Sequence, residues 1–154
     1  MSRPLRIAWL VLPLVVVLSL AACGGSEQKN DYVRKLNDTQ ADFKRSTESV
    51  AQQKVPDGAA AKIRMVQRFE RALDQVVSAL RGIEVPSYVR AEHQQLIDVM
   101  TGFRADVRKL TETYRGGDAR KVSAELVVFK SAEAEANARI TATIDAINSK
   151  LAAT

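Results

Sequence analysis

The sequence predicts an all-α protein, an antiparallel up-down-up-down four-helix bundle. Three observations lead there. Apolar residues recur at alternating steps of three and four along four separate stretches, the period of one face of a helix. Proline and glycine clusters fall between those stretches. Alternation of apolar and polar residues in the strand sense occurs nowhere in the 154 residues. Four long amphipathic helices with short connections bury their apolar seams most simply by packing as antiparallel neighbours.

The first helix is expected over residues 31–54, on Val33, Leu36, Gln40, Phe43, Thr47 and Val50. That seam is apolar with two polar interruptions. Val55-Pro56-Asp57-Gly58 ends it, because proline disfavours helix in the residue before it and Asp-Gly is turn chemistry. The second helix is expected over residues 59–81, with Ile63, Val66, Phe69, Leu73, Val76 and Leu80 inward and Gly82 at its C-terminal end. Ile83-Glu84-Val85-Pro86 is a short connection, and Ser87 has the side chain of an N-cap. The third helix then carries Val89, His93, Leu96, Met100, Phe103, Val107, Leu110 and Tyr114 without a break in the pattern. Gly116-Gly117 stops it. Asp118 can cap the fourth helix, whose inner face holds Val122, Leu126, Phe129, Ala136, Ile140, Ile144, Ile147 and Leu151.

Each helix contains one phenylalanine, ten to twelve residues from the end where Gly58 and Gly116-Gly117 lie. At 1.5 Å per residue all four fall about 16 Å from that end, so Phe43, Phe69, Phe103 and Phe129 should meet in one layer. At the other end, Ile144, Ile147 and Leu151 should pack against Ile83 and Val85.

Before the helices, Arg3 and Arg6 form a positive start, residues 7–20 carry no charge, and small residues precede Cys23, which is the layout of a secretory signal. The apolar run is shorter than the roughly 20 residues of a spanning helix, and Pro13 interrupts it. Leu20-Ala21-Ala22-Cys23 resembles the lipobox of bacterial lipoproteins. The resemblance implies that residues 1–22 are a signal peptide removed by a dedicated peptidase, and that the Cys23 thiol carries diacylglycerol. One acyl chain binds a membrane only marginally, at about 0.8 kcal/mol per buried CH₂, so a stable anchor needs two or more. Residues 23–30, the lipidated cysteine and a small, polar run, read as a flexible tether, and residues 31–154 as the bundle domain.

Further along, Tyr32-Val33, Leu36-Asn37, Gln40, Phe43, Ile83-Glu84-Val85-Pro86 with His93, Gly117-Asp118 and residues 140–148 resemble a group of small helical lipoproteins of high-GC Gram-positive bacteria. That likeness implies a lipid-anchored domain on the outer face of the cell membrane and carries over no catalytic residue.

Composition narrows the function classes. Cys23 is the single cysteine, so neither a disulfide nor a thiolate metal site is expected. Without residues 1–22 the chain has 21 basic and 18 acidic residues, a net charge of +3, too small and dispersed for nucleic acid. His93 is the single histidine. Covalent haem would need Cys-x-x-Cys-His, a di-iron bundle centre Glu-x-x-His on two helices, and a hydrolase a Gly-x-Ser-x-Gly turn; none is present. His93 is expected to be structural, bonded to Asn37 or Gln40, and neither a cofactor nor an enzymatic activity is expected. Arg64, Arg68, Arg71, Arg104 and Arg108 are interleaved with Glu70, Asp74 and Asp106 and read as solvated faces.

The expectation is therefore a non-catalytic binding or structural role at the envelope. The alternative is a carrier or sensor of a small apolar ligand held between the helices. Lys54, Lys62, Tyr114, Arg115, Arg120 and Lys121 gather at the end remote from the tether, a basic tip with one aromatic, suited to an acidic envelope polymer or protein.

Overall fold

The computed structural model describes residues 27–51 and 57–154, apart from the side chains of Ser49 and Ala51. It contains four α-helices, α1 Glu27–Ala51, α2 Ala59–Arg81, α3 Arg90–Gly116 and α4 Ala119–Ala152, with a 3₁₀ turn, Ser87–Val89, ahead of α3. Among the described residues there is no strand. α1 packs on α2, α2 on α3 and α3 on α4, the neighbour order of an antiparallel four-helix bundle. α1 and α4 approach each other less closely, so the fourth side is closed mainly by side chains.

The phenylalanine layer forms. Ring centroids lie 6.4 Å apart for Phe43 and Phe69, 5.9 Å for Phe69 and Phe103, and 5.7 Å for Phe103 and Phe129. Phe69 meets Phe103 edge to face, and Phe103 stacks on Phe129 at 20°. Contacts of this kind contribute about 0.5–1.5 kcal/mol each beyond the area they bury. The row crosses all four helices in chain order and sets their relative height.

The helix ends repay comparison with expectation. α1 begins at Glu27, so residues 27–30, expected in the tether, are its first turn. The end of the expected helix, with Lys54, Val55 and Pro56, lies outside the described residues. α2 has the expected bounds, but Gly82 closes it with φ −84°, in the right-handed region. Its N–H donates to Ala79 O at 3.0 Å and Ser78 O at 3.2 Å, and the chain then turns to bury Ile83. Ser87 does not cap α3. It opens the 3₁₀ turn, closed by Val89 N–H to Pro86 O at 3.1 Å, and α3 starts after Val89 with no side-chain cap. The reason is tertiary: Val89 is wholly buried, and the turn packs against α4 as well as α3. At the other end of α3, Gly117 takes φ 73°, a conformation open to glycine at little cost. Asp118 then caps α4, its Oδ1 accepting from Arg120 N at 2.9 Å and Lys121 N at 3.2 Å.

Ile147 and Leu151 are fully buried at the proximal end, where Ile83 and Val89 also belong to the core. The proximal end, where α1 begins, is thus filled by α4 and the α2–α3 connection.

Candidate functional site

The distal end is built by the last turns of α3 and the first of α4, held in a tight reversal by Gly117 and Asp118. Between them lies an open cleft of about 480 Å³, lined by Lys109, Glu112, Gly116, Asp118, Lys121, Ala124, Glu125 and Val128 among others. Lys109 Nζ meets Glu125 Oε1 at 3.2 Å and ties the two helices together at the cleft. Lys121 is exposed on it, and Arg115 and Arg120 are exposed at the adjoining helix ends. Asp118 is engaged as the cap, so its charge is partly used by the helix terminus.

Tyr114 does not stand on the tip surface: it is 9 % exposed and part of the core, and burial pushes its hydroxyl pKa up. Position 114 continues the inward seam of α3, and the helix runs two residues past it, so the ring stays under the cover of its neighbours. Cys23 and Lys54 lie outside the described residues. The apolar groups that do stand near the tip are Val127, 70 % exposed, and Val128, 53 % exposed, the large hydrophobic side chains that the described residues leave in solvent. Their signal was available in the sequence as two valines between the inward Leu126 and Phe129.

At the opposite end, His93 is buried and fully bonded. Its Nε2–H donates to Leu80 O at 2.9 Å, so Nδ1 is the acceptor, and the Tyr32 hydroxyl donates to it at 3.2 Å. Its partners are therefore Tyr32 and Leu80, not Asn37 or Gln40. Desolvation lowers the His93 pKa, with the Leu80 bond acting the other way. Both ring nitrogens are occupied in tying α1, α2 and α3 together. Beside this network, Lys150 Nζ meets Glu92 Oε1 at 2.7 Å, and that bond holds the Glu92 carboxyl below its ordinary range.

Two arginines of α3 tie it to α2. Arg104 reaches Asp74 at 2.7 Å and Arg108 reaches Glu70 at 3.0 Å, both between helices and both partly exposed. Exposed pairs of this kind contribute little stability, about 0–1 kcal/mol. Among the described residues no group of three or more His, Cys, Asp or Glu is placed to hold a metal ion.

One inward residue of α4 escaped the apolar pattern. Glu133 is 7 % exposed, and burial raises its carboxyl pKa to about 7, opposed by the nearby Lys130 charge. Its position, four residues after Phe129 and three before Ala136, belongs to the core stripe, but a glutamate reads as surface when only residue type is counted.

Between all four helices there is an apolar crevice, lined by Leu36, Leu80, Leu96, Met100, Ile140 and Ile144 among others. The room within it is about 20 Å³, enough for little more than one water molecule.

No described protein family, curated protein or solved structure matches the chain. Among the described residues no helix is long and apolar enough to cross a membrane.

Proposed function

We propose that this chain is a lipid-anchored lipoprotein on the outer face of the cell membrane, held by acyl chains on Cys23, and that its bundle has a non-catalytic docking role at the envelope. The observation that carries the docking role is the distal end. Val127 and Val128 stand in solvent, Val128 on a 480 Å³ cleft lined by Lys109 and Lys121 together with Glu112, Asp118 and Glu125, and Arg115 and Arg120 are exposed at the adjoining helix ends. Exposed apolar groups rimmed by charge are the makeup of protein contact surfaces. The partner is accordingly an acidic protein segment, with the basic residues drawing it in and the valines holding it.

The carrier reading is the weaker one, because the crevice between the helices has room for a water molecule and not for a ligand. The location rests on the charged start, the apolar run and Leu20-Ala21-Ala22-Cys23.

Two measurements test the proposal. Mass spectrometry of the membrane fraction should find a chain beginning at an acylated Cys23, and Cys23→Ser should release the protein from the membrane. A chain retaining residues 1–22 with an unmodified thiol would overturn the anchoring. Crosslinking in intact cells should capture a protein neighbour that is lost in the triple variant Arg115→Glu, Arg120→Glu, Lys121→Glu and in Val128→Asp, with circular dichroism unchanged. Neighbours that survive both changes would overturn the distal docking site.

A further inference from the structure

The outward face of α4 differs from those of α1 and α2. Those helices present charge to solvent, Arg34, Asp38 and Arg45 on one and Arg64, Arg68 and Arg71 on the other. Along α4, opposite its buried stripe, run Val127, Ser131, Ala134, Ala138 and Ala142, all exposed and spaced by three and four residues, so they form one line. Val127 is the more exposed of the two large apolar side chains left in solvent, at 70 %. It does not line the distal cleft, which Val128 enters from about 100° further round the helix.

The charges beside this line decide what can cover it. Glu135 and Arg139 stand on the flank towards α3, the side on which Glu125 and Lys150 reach Lys109 and Glu92 of that helix. Lys130 stands on the opposite flank, and Asp145 lies on that same side at the end of the line. Asp145 has no ion pair among the described residues. Two copies in antiparallel contact about a two-fold axis bring like flanks together, and each position faces the one equally far beyond the axis in the other copy. With the axis between Asn137 and Ala138, Lys130 meets Asp145, and Glu135 meets Arg139 to within one residue. Each pair occurs twice by symmetry, and all four join opposite charges. Ala134 then faces Thr141, Ala138 lies beside its own copy, and Val127 at each end covers the turn of Ala146 and Ser149. Small side chains at the crossing let the two helix axes approach closely. A parallel pair would set Asp145 against its own copy, where like charges repel.

We propose that α4 is a self-association surface, pairing antiparallel with α4 of a second copy of this chain across Val127, Ala134 and Ala138, in the register set by Lys130 with Asp145 and Glu135 with Arg139. α4 has 34 residues and so runs about 50 Å, and a strip about 10 Å wide over that length buries about 1,000 Å² on the two copies together. That is the lower bound of a specific interface, so the dimer is a reversible one. A two-fold axis normal to a membrane keeps both N-terminal ends at one height, so an anchored pair lies along the surface. The contact is independent of the partner proposed for the distal cleft.

The test uses the full-length protein in detergent micelles, with its mass read by sedimentation. The wild type should form dimers at micromolar concentration. Glu135→Arg and Arg139→Glu each place like charges in the interface twice and should weaken the dimer about tenfold. The double variant exchanges the two charges and should restore it. Both positions are exposed, so circular dichroism should not change. Direction is read by oxidative crosslinking: Ala134→Cys mixed with Thr141→Cys should give a covalent dimer, whereas Ala134→Cys alone should give no more than the wild type, which sets the background from Cys23. A wild type still monomeric at millimolar concentration would overturn the proposal, as would a dimer indifferent to both single reversals or a double variant no stronger than either. Ala134→Cys chains that link to one another as readily as to Thr141→Cys chains would overturn the antiparallel register.

Discussion

At the scale of single residues, the least settled group in the bundle is Glu133. Its carboxyl titrates near pH 7 in the folded chain, above the ordinary 4.5, because burial penalises the charged form. Folding therefore disfavours ionisation. The penalty is absent below about pH 4.5, where the group is protonated in both states, grows as pH rises towards 7, and is constant above that. At 1.36 kcal/mol per pKa unit it reaches about 3 kcal/mol at alkaline pH. Glu133→Gln should consequently raise the melting temperature at pH 8 and change it little at pH 4. A variant with equal gains at both pH values would show that the carboxyl is not the cause. His93 works in the opposite sense, since its pKa is lowered: the neutral ring is the folded form, and stability is lost as pH falls below its ordinary value of 6.5. Comparing variant with wild type at each pH isolates Glu133 from that background.

At the scale of the element, α4 is the helix most dependent on its first turn. It is 34 residues long, and its start carries the α3–α4 cleft. Gly117 supplies the left-handed turn and Asp118 satisfies two of the amide groups that every helix leaves unpaired at its N-terminus. Asp118→Ala should cost about 1 kcal/mol, read from chemical denaturation. The loss should be local as well, with faster amide exchange at Arg120 and Lys121 than at Ile140 or Ile144. Uniform exchange along α4 in the variant would contradict a cap confined to that turn. By contrast Ser87→Ala should leave stability nearly unchanged, because the Ser87 side chain caps nothing.

At the scale of the whole molecule, the row of four phenylalanines is what makes four helices one core. Phe103 lies in its middle, in ring contact with both Phe69 and Phe129, and its replacement by alanine should cost about 3–5 kcal/mol in an equilibrium unfolding experiment. A loss under 1 kcal/mol would mean the layer is not shared. The weak approach of α1 to α4 has its own consequence. α1 is held along its length by α2 and at its proximal end by the Tyr32–His93 bond, so it is the helix with the least support. Hydrogen exchange should open α1 before α2, α3 or α4, and exchange of all four helices together would refute that order.

Most of this architecture could be read from residue spacing. Helix number, the bounds of α2, the break at Gly117, the Asp118 cap and the height of the phenylalanine layer all follow from interactions between residues close in sequence, or from counting along rigid helices of fixed rise. The leader proposed for residues 1–22 rests on the same kind of local reading, since machinery that reads a linear segment needs no fold. What only tertiary structure decided were the partners and the exposures. His93 bonds Tyr32 and Leu80 because three helices bring them to one point. Tyr114 is covered although it lies near a helix end, Glu133 is buried although it is charged, and Val127 and Val128 are exposed although they are apolar. Each of these depends on which neighbour occupies a given flank, and a helical period gives the direction of a side chain but not what stands opposite it.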